Sequence, residues 1–161
     1  MAARMSETAH TGGCQCGAVR YRISGKLGGA GICHCRMCQK ASGNAALPLV
    51  SAPVGNLAWT RGKPSEFRTT PVTVRGFCSA CGTPLYMRED GDVNYEITIG
   101  SLDNPAGCPP THAVGIESKL PWFDSLGALS GHSTDDDRSP DDLAKLVSHQ
   151  HPDHDTDEWP R

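Results

Sequence analysis

The sequence predicts a mainly β domain of short, turn-linked strands, stapled by cysteines as much as by an apolar core. Three observations predict it. Gly (18) and Pro (12) are frequent among the 161 residues, which favours turns over long helices. Several short segments alternate apolar and polar residues, the period of a strand with one buried face. Seven of the eight Cys fall into three clusters rather than being scattered along the chain.

The elements follow in order. Residues 1–11 read as a flexible leader. In "AVRYRIS" (18–24), Val19, Tyr21 and Ile23 alternate with Arg20, Arg22 and Ser24. Further strands are predicted in "AALPLVS", "LAWTRG", "SEFRTT", "VTVRGF", "PLYMRE" and "YEITIG", most of them separated by Gly, Pro or Asn. Pro48 lies inside "AALPLVS" and cannot donate to a ladder, so it points to an edge strand or a bulge. "RMCQKAS" (36–42) is the one helical turn expected in the body. A domain is thus expected over 12–131. Residues 132–161 form an acidic tail expected to be largely disordered. Within it a short C-terminal helix is predicted over 139–148. Ser139 would be its N-cap and Pro140 its first residue, with Asp141 and Asp142 in the first turn. Leu143, Leu146 and Val147 would form its narrow apolar stripe.

Charge is uneven along the chain. The tail carries nine acids and three bases, a net of -6, which leaves the body at +3 within the total of -3. A mildly basic body suits a small anionic ligand. It lacks the basic clustering of a nucleic-acid binder, so no nucleic-acid partner is expected. No apolar run approaches the ~20 residues that cross a bilayer, so no membrane segment is expected either. "MAARMSETAHTGG" has no apolar stretch after its Arg residues, which argues against a secretory signal and for the cytoplasm. In that reducing compartment, Cys clusters read as metal ligands or reactive thiols before they read as disulfides. The sequence is silent on oligomeric state.

The clusters are C-x-C (Cys14, Cys16), C-x-C-x-x-C (Cys33, Cys35, Cys38) and C-x-x-C (Cys78, Cys81), with Cys108 alone. Two sulfurs on one tetrahedral zinc sit about 3.8 Å apart, given bonds of about 2.3 Å. Residues i and i+2 of a regular strand are about 6.6 Å apart, so C-x-C chelates only where the strand bends. Gly13 and Gly17 flank the first cluster and can supply that bend. "CSACGTP" is a knuckle that aims both sulfurs inward, with Gly82 free to take a positive φ. Together Cys14, Cys16, Cys78 and Cys81 form a complete four-thiol structural set. Cys33, Cys35 and Cys38 then remain, and two readings stay open. Three protein ligands are the form of a catalytic zinc. Alternatively Cys108 or His34 completes a second structural site. Arg36 and Lys40 lie in the same short segment and can offset thiolate charge or hold substrate carboxylates.

The motifs "GGCQCGAVRY", "CHCRMCQKASG", "FCSACGTPLY", "IGSLDNP" and "ESKLPWF" occur here in this order. In them the chain resembles the glutathione-dependent formaldehyde-activating (GFA) family, which includes the centromere protein V domain. The resemblance spans roughly Gly12 to Phe123. It implies an Mss4-like β-tent of small antiparallel sheets around zinc. It implies one structural Zn²⁺ on Cys14, Cys16, Cys78 and Cys81. It also implies a second Zn²⁺ on Cys33, Cys35 and Cys38, next to a glutathione site. The implied activity is that of a carbon–sulfur lyase acting on S-hydroxymethylglutathione or a similar thiol adduct of a small aldehyde. Cys108 and the acidic tail lie outside the motif set.

Cys33, Cys35 and Cys38 are accordingly the expected catalytic residues. Arg36, Lys40, Lys119 and Trp122 are candidates for substrate contact. His34, between two ligands, would point away from the metal if it sits on a strand. The alternative, from another class, is a zinc-stabilised interaction module whose acidic tail meets a partner. A loose metal site on His149, His151 and His154 is a further idea, since their spacing permits weak chelation.

Overall fold

The computed structural model describes residues 8–159. Its strands are β1 (Ala9–Gly13), β2 (Arg20–Ser24), β3 (Ala30–Cys33), β4 (Leu47–Pro53), β5 (Leu57–Arg61), β6 (Ser65–Arg68), β7 (Thr73–Phe77), β8 (Pro84–Glu89), β9 (Asn94–Thr98) and β10 (His112–Val114). Helix α1 (Arg36–Ser42) and the single turn α2 (Pro140–Leu143) join short 3₁₀ segments. The protein is mainly β, as the alternating segments predict.

Two sheets form. β1, β2 and β5 make a small antiparallel sheet in the order β1-β2-β5. The second has seven strands in the order β10-β3-β4-β9-β8-β7-β6, antiparallel except for the parallel pair β10–β3. The expected antiparallel pairing holds throughout apart from that one pair. β10 has only three residues and β3 four, too few to show a period of two, so neither was legible.

The larger sheet is covered on both faces, and its side chains divide accordingly. On β4, Val50 and Ala52 enter the main core, while Leu47 and Leu49 face α1 and pack with Cys33 and Cys38. The main core lies between the sheets. Tyr21 and Ile23 of β2 are fully buried there, and an aromatic group of Tyr21, Trp59, Tyr86 and Tyr95 meets mostly edge to face. The Tyr21 hydroxyl is satisfied by Ser101 Oγ at 2.8 Å.

Several expectations shift. Residues 1–7 of the expected leader and residues 160 and 161 of the tail lie outside the described residues. β1 begins at Ala9, inside the expected leader. Its "AHTGG" carries no apolar alternation, yet it pairs with β2 across five registers. Pro48 lies on β4, an interior strand, and not on an edge. The strand tolerates it because pairing with β9 starts only at Leu49, so the missing N–H falls just past that ladder. α2 keeps the predicted N-cap, with Ser139 Oγ accepting from the Asp142 N–H, but it is one turn long. Leu146 and Val147 are exposed, so nothing packs on the stripe that would extend it.

Residues 150–159, expected within a largely disordered tail, lie against the domain. The His151 N–H donates to Gln15 O at 2.7 Å, and the buried ring meets Trp159 edge to face. Asp155 pairs with Arg20 at 2.8 Å, and Arg61 donates to Thr156 O. The alternation in "AVRYRIS" assigned Arg20 to the polar face. It is buried instead, because carboxylates from two distant segments meet it: Asp103 and Asp155.

Candidate metal centres and the adjoining cleft

All eight Cys are free thiols. Cys14 and Cys16 follow β1 and so leave the smaller sheet. Cys78 and Cys81 follow β7 and leave the larger one. Their four Sγ atoms lie within 4.8 Å of one another, with Cys14–Cys16 at 3.6 Å and Cys16–Cys78 at 3.9 Å. Those separations bracket the roughly 3.8 Å that a tetrahedral zinc requires, so the set fits a closed structural ion.

Both loops are knuckles. Gly17 (φ 74°) and Gly82 (φ 78°) take the left-handed turn that brings each pair of sulfurs to one side; Gly13 keeps a negative φ and lends no such turn. Backbone N–H groups point at sulfur: the Val19 N–H donates to Cys14 Sγ at 3.2 Å. Burial pushes the Cys14 thiol up to about 12. Burial acts on Cys81 in the same sense. There, however, the Thr83 hydroxyl at 3.2 Å, with N–H groups of Thr83 and Cys16, outweighs it and holds that thiol at about 6. One thiol is thus ready to ionise while burial makes Cys14 and Cys16 resist, a balance that a cation would tip.

The second cluster is local. Cys33 ends β3, Cys35 caps α1, and Cys38 sits in the helix's first turn, where its N–H donates to Cys35 Sγ at 3.4 Å. The three Sγ atoms lie within 4.8 Å of one another. Burial raises Cys33 to about 12, whereas the N–H groups of Cys38 and Met37 and the neighbouring thiols outweigh burial at Cys35 and lower it. The segment after β10 passes this cluster. Gly115 (φ 64°) passes so near that a Cβ there would stand 2.7 Å from Cys35 N.

Neither proposed fourth ligand joins the three thiols among the described residues. Cys108 packs beside the main core and lines a different cleft with Ala30 and Val50. His34 lies just past the end of β3 and not on a strand; it is buried, edge-on to Phe123 at 4.5 Å, and outside the thiol group. Nor do His149, His151 and His154 form a metal-capable group among the described residues; His151 is buried against Gly17 instead.

The four candidate substrate contacts separate into two pairs. Arg36 and Lys40 line a cleft of about 390 Å³ with Met37, Ala41, Phe67 and Thr69. Arg36 also donates to Gln39 Oε1, and Gln39 Nε2 donates to the backbone oxygens of His34 (2.5 Å) and Ser118 (3.0 Å). Gln39 thereby ties "ESKLPWF" to α1. Lys119 pairs with Asp124 at 2.6 Å and lies over the Phe123 ring, and Trp122 is half exposed. The sequence reading passed over Arg75, which lines the same cleft and donates to Cys38 Sγ at 3.4 Å. In "VTVRGF" it reads as the solvent face of an alternating strand. It is buried instead, against Cys38 of α1.

Fold and site together define a small β domain with two distinct cysteine clusters, each able to hold a metal ion. The family model of the glutathione-dependent formaldehyde-activating enzyme matches residues 9–118, and the chain belongs to that family. A search of curated proteins gave no match. Among solved structures, a Rhodobacter sphaeroides protein from a structural-genomics programme is similar in fold, with a TM-score of 0.53 and 20% identity. The match covers 65% of this chain and 99% of that one. Among the described residues, no helix is long and apolar enough to cross a membrane.

Proposed function

We propose that the chain is a carbon–sulfur lyase that joins a thiol such as glutathione to a small aldehyde such as formaldehyde, and splits the adduct in reverse. The new C–S bond forms at the carbonyl carbon, the thiol gives up its proton, and the carbonyl oxygen gains one to become a hydroxyl. The observation that carries this reading is a set of three thiols, without a fourth protein donor among the described residues, beside a cleft lined by cations.

Cys33, Cys35 and Cys38 would hold a Zn²⁺ whose fourth coordination position acidifies an incoming thiol, which unaided has a pKa near ~8.5. Arg36 and Lys40 would hold substrate carboxylates at the cleft wall, which fixes the thiol in place and lowers the barrier through proximity. Gln39 keeps Arg36 oriented through the bond to its Oε1. Lys119, paired with Asp124, and the half-exposed Trp122 lie outside the lining of that cleft and would meet only a part of the substrate that extends beyond it. The four-thiol set holds the two sheets in register and takes no part in the reaction.

Metal analysis and NMR test this together. Two zinc ions per chain are expected, with glutathione perturbing one of them, and exchange between formaldehyde and its glutathione adduct should accelerate. Two tightly held ions that ignore every thiol offered would sink the reading.

A further inference from the structure

Arg75 is a buried cation without a carboxylate. Its residue is 8% exposed, and among the described residues no Asp or Glu lies within ion-pair distance. Its hydrogen bond runs to Cys38 Sγ at 3.4 Å, and its Nε has no partner. A guanidinium out of water is costly unless an anion faces it. Arg20, the other deeply buried arginine, obeys this with two carboxylates. The group facing Arg75 is sulfur.

We infer that Arg75 is the counter-cation of the three-thiol site, a positioning residue that acts through Cys38. The inference rests on the reading of Cys33, Cys35 and Cys38 as a metal site. Three thiolates around a divalent ion carry a net charge of -1, and a fourth from substrate makes it -2. A guanidinium already fixed against one sulfur offsets that added charge at no cost of reorganisation. It also biases the fourth position toward an anionic sulfur donor over neutral water. Arg75 lines the cleft as well, so one side chain touches both the metal-binding sulfur and the channel by which an anion arrives. Its fork geometry suits both contacts, and a lysine could make only one of them well.

The test uses the full chain loaded with Co²⁺, whose sulfur charge-transfer band reports the number of bound thiolates, titrated with glutathione. Arg75→Met should keep the first metal, lose about tenfold or more in glutathione affinity at the second, and release that second metal faster to a chelator. Arg75→Lys should recover part of the affinity. A merely structural arginine would instead lower Tm with unchanged glutathione affinity in the folded fraction, and that result overturns the inference. Should wild type bind one metal only, the reading of the three-thiol site fails, and this inference with it. Should wild type bind two while Arg75→Met titrates identically, this inference alone fails.

Discussion

Arg20 clamps Asp103 through two hydrogen bonds, at 2.8 and 2.6 Å, in a pair almost wholly removed from water. Asp103 also accepts from the Thr11 hydroxyl at 2.5 Å, and its N–H donates to Thr11 O at 2.9 Å. The contact therefore locks β1 and β2 of the small sheet to the segment after β9.

Asp103→Asn should destabilise the fold by about 3 kcal/mol at neutral pH, since it leaves a buried guanidinium with only Asp155. Burial raises the Asp103 carboxyl, but Arg20 and Thr11 outweigh it and hold the group below its ordinary value. A depressed folded-state pKa gives stability that is present above the unfolded value of about 3.9 and lost as pH falls through the lower one. Thermal melts of both proteins across pH check this. The gap between them should close below about pH 4 and stay constant above about pH 5.

The two clusters should separate by mutation. Cys78→Ser should lose both the ion and the fold, because a closed site of this kind contributes about 10 kcal/mol or more. Cys35→Ser should keep the fold and one ion while losing the second ion. Metal content and circular dichroism on the same samples test the pair; equal unfolding by both variants would contradict it.

Gly115→Ala should act on the second cluster alone. The added methyl meets Cys35 N at 2.7 Å, and the positive φ costs about 1–2 kcal/mol besides. The expected result is a modest fall in Tm with a clear loss of affinity for the second metal, read by competition with a chelator.

Ending the chain after Ser148 removes the contacts of His151, Asp155, Thr156 and Trp159. A loss of about 2 kcal/mol is expected, and faster release of the first metal, since Gln15 and Gly17 are uncovered. His149→Ala, at an exposed position, should change neither quantity.

What was legible in the sequence was whatever depends on neighbours along the chain. Helix α1 falls on "RMCQKAS" as predicted, because its cap and first turn are local. The cysteine sets follow from spacing and from the bond lengths of zinc. Arg20 was misread and Arg75 passed over for one shared reason. Each lies on a strand face that alternation assigns to solvent, and each is covered by chain from elsewhere: Asp103 and the tail for one, α1 for the other. β1 and β10 were missed because pairing partners, not their own residues, make them strands.

The spacing of the two cysteine clusters also sets an order of events as the chain is made. Cys33, Cys35 and Cys38 leave the ribosome almost together and need close only a small loop, so they can seize an ion early. Cys14 and Cys16 must wait for Cys78 and Cys81, a closure entropically dearer and impossible until half the polypeptide has emerged. An ion bound early would sit where chemistry is proposed, and a late one would finish the architecture. A nascent chain starved of zinc should therefore stall with its N-terminal thiol pair exposed and open to oxidation.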